Sequence, residues 1–214
     1  MTRLTIAFDN DGTLIDTHDF YTRMNNELGR KYDLPFMLAP DISRTFSREG
    51  YWQCMRKNGV KDAMVQLMLD EIEPRIKEHL KQVLFFEGMP ELFRTLSEDH
   101  DIYVVTDARE SWLKELYERA ELEPRAVYGL ERGPHKKERL KTVRELHPTQ
   151  TPVYVCDTTS DCRAAAGERY KVIAVTWGFH PENWLLEENP DFLARTVQEV
   201  REWLDVIARN GHTK

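Results

Sequence analysis

Five short apolar, β-rich runs punctuate the chain: Leu4–Phe8, Ile102–Thr106, Ala126–Tyr128, Val153–Cys156 and Val172–Thr176. They are apolar almost throughout rather than at alternate positions, so each reads as a strand covered on both faces. Later stretches carry apolar residues at steps of three and four, the helical period. Leu92, Phe93 and Leu96 make one stripe, Leu113, Leu116, Tyr117 and Ala120 a second, and Leu140, Val143 and Leu146 a third. A last helix is expected to carry Leu193, Val197, Val200, Leu204 and Ile207. Strands that alternate with helices demand crossover connections, so the chain is confined to an α/β fold with a mainly parallel sheet between helical layers.

One interval departs from this rhythm. From Asp16 to Phe86 no strand is convincing, and the apolar residues fall at helical spacing, as in Phe20, Met24 and Leu28, then Met68, Ile72, Ile76 and Leu80. A simple crossover needs one helix, and roughly 70 residues is far more than that. The spacing predicts an inserted helical cap over 16–86 above the mouth of the sheet, with a core formed by 1–15 and 87–214.

The totals exclude several classes. A net charge of −7 argues against nucleic acid as a partner, because phosphate backbones are bound through a surplus of Lys and Arg. No apolar run approaches the roughly 18 residues that would span a bilayer, which argues against a membrane partner. Leu4–Phe8 is too short an apolar segment for a signal peptide. The three cysteines, Cys54, Cys156 and Cys162, form no CxxC pair and read as buried free thiols of the reducing cytoplasm.

In an open parallel sheet, ligands bind beyond the carboxyl ends of the strands. The polar residues at those ends converge. Asp9 and Asp11 follow the first run, Thr106 and Asp107 the second, and Asp157 and Asp161 the fourth, while Lys136 and Lys137 open a helix between the third and fourth. Two carboxylates about 4 Å apart repel by roughly 4 kcal/mol at an effective dielectric near 20. Such crowding makes sense if a hard cation sits among them, and Mg²⁺ takes carboxylates together with substrate phosphate oxygens. The parts suit phosphoryl transfer. Asp9 can attack phosphorus, Asp11 can pass a proton to the leaving oxygen and later take one from water, and Thr106 and a lysine can hold the phosphoryl oxygens.

These residues stand in motifs: "FDNDGTLID" (Phe8–Asp16), "VVTD" (Val104–Asp107), a lysine ahead of "KERL", and "CDTTSDCRAA" (Cys156–Ala165) followed by "VIAVTWGF". With "FFEGMPELFRTL" leading back from the cap, the chain resembles the haloacid dehalogenase superfamily, in its phosphoglycolate-phosphatase-like branch of phosphatases with a helical cap. The resemblance implies a Rossmann-like core, a Mg²⁺ cofactor and hydrolysis of a small phosphorylated metabolite by a monomer or homodimer. It implies Asp9 as nucleophile, Asp11 as acid/base, Thr106, Asp107 and Lys136 in the phosphate-binding segment, and Asp157 as a metal ligand with Asp9 and the main-chain carbonyl of Asp11. Asp161 would stand behind the metal or bond the lysine.

Some positions depart from the family pattern. Cys156 replaces a usual glycine, which a small side chain should tolerate. Asp107 replaces a neutral residue and is expected to turn away and cap the next helix. Lys136 fits the family spacing to Leu140 better than Lys137 does. The seven histidines show no metal-ligand spacing and read as surface residues, and His180, on a loop after the fifth run, could alternatively line the pocket entrance. Arg44, Arg48 and Arg56 with Tyr51 and Trp52 could grip a substrate or simply pack a helix. A phosphomutase shares all these motifs, and a phospho-accepting signalling module shares the aspartate, hydroxyl and lysine but needs no cap. Dehalogenation is disfavoured by Asp11, and phosphonate cleavage by the lack of an identifiable Schiff-base lysine.

Overall fold

The computed structural model describes residues 2–38 and 51–210. Six strands form one sheet: β1 (Leu4–Phe8), β2 (Asp101–Val105), β3 (Ala126–Tyr128), β4 (Thr151–Cys156), β5 (Lys171–Val175) and β6 (Phe192–Ala194). All neighbours are parallel, in the order β3-β2-β1-β4-β5-β6. This is the doubly wound Rossmann order, and it reverses direction between β1 and β4, opening a crevice at their carboxyl ends. The described residues also form nine α-helices: α1 (His18–Lys31), α2 (Tyr51–Lys57), α3 (Asp62–Leu80), α4 (Met89–Asp99), α5 (Glu110–Arg119), α6 (Lys136–Leu146), α7 (Thr159–Gly167), α8 (Glu182–Glu187) and α9 (Val197–Asn210).

Each strand face buries its own core. Leu4, Ile6 and Phe8 of β1 join Leu92 and Phe93 of α4, Leu113 and Leu116 of α5 and Leu204 of α9 on one side. Ala7 of the same strand faces the other side with Leu140 and Val143 of α6 and Cys162 and Ala165 of α7. The strand period of two thus divides β1 between two helical layers.

Strand edges shift slightly from the expected bounds. β4 starts two residues early, and Thr106 and Thr176 fall just past their strands. The sixth strand is a correction. Leu193 lies in β6, not on the last helix, and α9 begins only at Val197. Its spacing to Val197 and Val200 imitates a helical stripe, and three residues are too few to reveal a strand. Phe192 is fixed against Trp203 of α9 with ring centroids 4.7 Å apart.

Between Asp16 and Phe86 the described residues contain α1, α2 and α3 and no strand. The stripes Phe20, Met24, Leu28 and Met68, Ile72, Ile76, Leu80 are buried. The chain leaves and returns through one small antiparallel bridge: the Asp16 amide donates to the Leu84 carbonyl at 3.2 Å and the Phe86 amide to the Leu14 carbonyl at 3.0 Å. No described helix is long and apolar enough to cross a membrane.

At the opposite, amino-terminal ends of the strands, Asp101 ties four segments together. Its carboxylate accepts from Arg3 at 2.8 and 3.1 Å, from Arg125 at 3.1 Å and from Gln150 at 2.9 Å. The hydrogen bonds from Arg3, above all, hold its pKa well below the usual carboxylate range despite burial. A depressed carboxylate stabilises the fold above its unfolded pKa, and the contribution is lost as pH falls through the folded value. Asp101→Asn should therefore cost about 1–3 kcal/mol at pH 7. Urea titrations of both proteins should show the gap closing progressively as pH drops below about 4, where Asp101 of the unfolded chain takes up its proton while the folded carboxylate still resists it.

Candidate active site

The crevice at the carboxyl ends of β1 and β4 holds a cavity of ≈ 200 Å³ with a polar floor. Asp9 sits at the end of β1, where its amide donates to the Val155 carbonyl of β4 at 2.9 Å. One of its oxygens accepts from the Asn10 amide at 2.8 Å and the other from Lys136 Nζ at 3.2 Å. The same ammonium donates to Asp161 at 2.9 Å and lies 3.8 Å from Asp107. It stands in the first turn of α6 with its side chain only 9% exposed. Lys137 points elsewhere, 59% exposed and 3.8 Å from Glu168.

Burial and charge compete here. Burial raises Asp9 well above the usual carboxylate range, against the pull of Lys136. Burial also raises Asp11, opposed by the Asn10 side-chain amide, which donates to Asp11 at 3.2 Å. The other oxygen of Asp11 is buried without a hydrogen-bond partner. Burial would lower Lys136, but the surrounding carboxylates Asp107, Asp161 and Asp9 carry it well above the usual lysine value. In Asp161 the Lys136 ammonium overcomes burial and leaves the carboxyl lowered.

Asp157 lies beneath this floor, fully buried, and not on the cavity wall. Thr13 donates its hydroxyl to one carboxylate oxygen and the Phe179 amide donates to the other, both at 2.8 Å. Burial still pushes its pKa up to about 7. Two glycines make room for it. A Cβ on Gly12 or on Gly178 would lie 2.3 Å from an Asp157 oxygen, and Gly12 has a φ of +77° besides. Among the described residues, no three His, Cys, Asp or Glu side chains form a group that could hold a metal. A cation at this floor would have to draw on main-chain or substrate oxygens as well as carboxylates.

The other expected residues divide. Thr106 lines the cavity, and its oxygen accepts from the Ala108 amide at 3.1 Å. Asp161 both bonds Lys136 and opens α7, where Thr158 accepts from its amide at 3.2 Å. Asp107 does not cap α5. It ion-pairs with the buried Arg139, and Glu131 instead accepts from the amides of Glu110 and Ser111 at that helix start. His180 is buried rather than on the surface. It lines the cavity, and its Nδ1 accepts from the Thr159 amide at 2.9 Å. His100 is buried too and accepts from the Leu4 amide. Cys156 fits in the core as expected, 3.8 Å from the Cys162 sulfur, and all three cysteines are free.

Of the arginine and aromatic cluster, Arg44, Arg48 and the Trp52 side chain lie outside the described residues. Arg56 is turned to Asp62 at 2.9 Å, and Tyr51 lines the cavity. The roof brings residues that the motifs do not mark: Tyr21 and Asn25 from α1, Leu69, Ile72 and Ile76 from α3, and Trp112 from α5. Tyr21 and Asn25 are four residues apart beside the buried stripe of α1, the one signal that they share a face.

A family model described as haloacid dehalogenase-like hydrolase matches residues 6–175. A search of curated proteins returns no match. Among solved structures, a predicted phosphatase from Clostridium acetobutylicum is 18% identical with a TM-score of 0.79, covering 95% of this chain and 99% of that one. A candidate phosphoglycolate phosphatase from Lactobacillus plantarum is 19% identical with a TM-score of 0.77, over 94% and 99%. A candidate beta-phosphoglucomutase from Bacteroides vulgatus is 13% identical with a TM-score of 0.77, over 99% and 91%. At these identities the likeness is one of fold.

The seat of Asp157 gives a matched test. Gly12 and Gly59 have φ of +77° and +79°, but a Cβ on Gly59 would meet nothing within 4 Å. Gly59→Ala should cost only the left-handed strain, about 1 kcal/mol. Gly12→Ala adds the collision with Asp157, so thermal unfolding should show a clearly larger loss.

Proposed function

The chain belongs to the haloacid dehalogenase-like hydrolase family, and from that premise we propose that it is a Mg²⁺-dependent phosphatase acting on a small phosphorylated metabolite through an aspartyl phosphate on Asp9. The observation that carries this reading is the meeting of Asp9, Asp11 and Lys136 on one cavity floor, with Asp11 holding a buried, unpartnered oxygen. The match to phosphatase-like structures supports it as a likeness of fold.

The donor set fits a hard divalent cation. Four carboxylates, Asp9, Asp11, Asp157 and Asp161, share one ammonium, and Asp9 and Asp157 are raised by burial for want of positive charge. Asp9, Asp157 and the main-chain carbonyl of Asp11 would hold it. When bound, Mg²⁺ neutralises phosphate charge and orients the phosphoryl oxygens.

The chain's own residues supply the rest. The Asn10 amide and Lys136 fix the Asp9 carboxylate, which attacks phosphorus as the bond to the leaving oxygen breaks. Asp11, whose carboxyl is raised by burial, is the group placed to hand a proton to that leaving oxygen. It then takes a proton from the water that attacks the phosphoryl group, freeing phosphate and restoring Asp9. Thr106 receives the Ala108 amide on its oxygen, which leaves its own hydrogen to donate to a phosphoryl oxygen. Lys136 offsets the charge that develops on the phosphoryl group. The helices between Asp16 and Phe86 act as a cap that roofs the site, and free cysteines agree with a reducing, cytoplasmic setting. A phosphomutase would use the same residues, and a sugar phosphate that yields an isomer in place of free phosphate would identify it.

Excess chelator should abolish phosphate release, and added Mg²⁺ should restore it. Asp9→Asn should form no phosphoenzyme with any ester. Asp11→Asn should lower steady turnover by about 10²- to 10⁴-fold. It should still release close to one equivalent of alcohol from p-nitrophenyl phosphate, whose leaving group hardly needs a proton. Stopped-flow measurement of the burst checks this. Equal loss in both variants, with Mg²⁺ affinity intact and no burst, would show the two roles to be wrongly assigned.

A further inference from the structure

We infer that the leaving group of the substrate is a small uncharged alcohol bearing a second, neutral oxygen that Asn25 holds, an inference that rests on the phosphatase reading above. Three observations point the same way. The first is Asn25 itself. It lies on α1, lines the cavity and is 5% exposed, and its side-chain nitrogen is buried with no hydrogen-bond partner. A buried amide without a partner is costly, and native sites leave one where a ligand completes it. A hydroxyl or carbonyl oxygen on the substrate would accept from it.

The second is charge. Among the described residues that line the cavity, Lys136 is the only lysine or arginine, and it is engaged by Asp9 and Asp161. Among the described residues, a second anionic group on the substrate would sit between the carboxylates of the floor and the side chains of Leu69, Ile72 and Ile76 above, with no counter-charge to offset its lost water. A neutral oxygen carries no such penalty. The third is size. A cavity of ≈ 200 Å³ must also hold the phosphoryl group, and it falls below the usual ≈ 300–1,000 Å³ of ligand pockets. A few carbons with one added oxygen are what remain.

The test compares phosphate esters of one chain length with Mg²⁺ present: propyl phosphate, 2-hydroxypropyl phosphate and 2-carboxyethyl phosphate, with phenyl phosphate as a generic ester. The full-length wild type should prefer the hydroxypropyl ester in kcat/KM, by about tenfold over the propyl ester, and should use the carboxyethyl ester least. In Asn25→Leu the ratio of hydroxypropyl to propyl should fall by about tenfold toward unity, whatever happens to the absolute rates. A melting curve establishes that the variant is folded. If it is not, Asn25→Ser is read in its place, and the wild-type ranking decides by itself if neither folds. A preference for the carboxyethyl ester, no wild-type preference for the hydroxyl, or an unchanged ratio in a folded variant overturns the inference while phenyl phosphate turnover leaves the phosphatase reading standing. Failure to release phosphate from phenyl phosphate and from all three alkyl esters would instead remove the phosphatase reading, and this inference with it.

Discussion

The ammonium of Lys136 is the interaction on which the rest of the site depends. It is buried at the start of α6 and donates to Asp9, at the end of β1, and to Asp161, in the first turn of α7. One side chain thus fixes the relative placement of three elements that meet at the switch point of the sheet. Removing one partner of such a buried pair leaves the other charge uncompensated, at a cost of about 3–5 kcal/mol. The arrangement reaches outward as well. Asp107, 3.8 Å from the ammonium, is held by Arg139, whose guanidinium also donates to the Gly133 carbonyl. The same helix face therefore organises the loops that follow β2 and β3.

A second constraint lies below the first. Asp157 is enclosed by Thr13, by the Phe179 amide and by two glycines that could carry no side chain without striking it. Its carboxylate is oriented before any ligand arrives. The residues that do this come from the turns after β1 and β5, so the sheet order itself, with β4 between those strands, builds the enclosure.

Much of this was legible in the sequence, for physical reasons. Strands buried on both faces are nearly uninterrupted apolar runs, so β1 to β5 stand out, and a parallel sheet gathers whatever follows each run onto one rim. Asp9, Asp11, Thr106 and one of the pair Lys136 and Lys137 could be grouped on that ground alone, and only the family spacing singled out Lys136. What escaped was set by tertiary contact. β6 is three residues long and its Leu193 happens to be in helical register with α9. His100 and His180 are buried because backbone amides of Leu4 and Thr159 need acceptors there, which no local pattern reveals. Asp107 has the composition of a helix cap, but a buried arginine competes for it and Glu131 reaches the amides instead. The roles of Tyr21 and Asn25 depend on how α1 lies across the crevice, and their own residue types announce nothing.

The small bridge between Asp16 and Leu84 and between Leu14 and Phe86 closes the chain on itself before the sheet continues. To the sheet, everything between its two sides is a single loop with pinned ends. The entropy of closing such a loop grows only with the logarithm of its length, about 0.6 kcal/mol for each doubling. The sheet is therefore nearly indifferent to how many residues the helical segment contains or how they are arranged. Lengthening it, shortening it or replacing it changes the ceiling over the carboxylate floor while the strands, their order and the residues at their ends stay as they are.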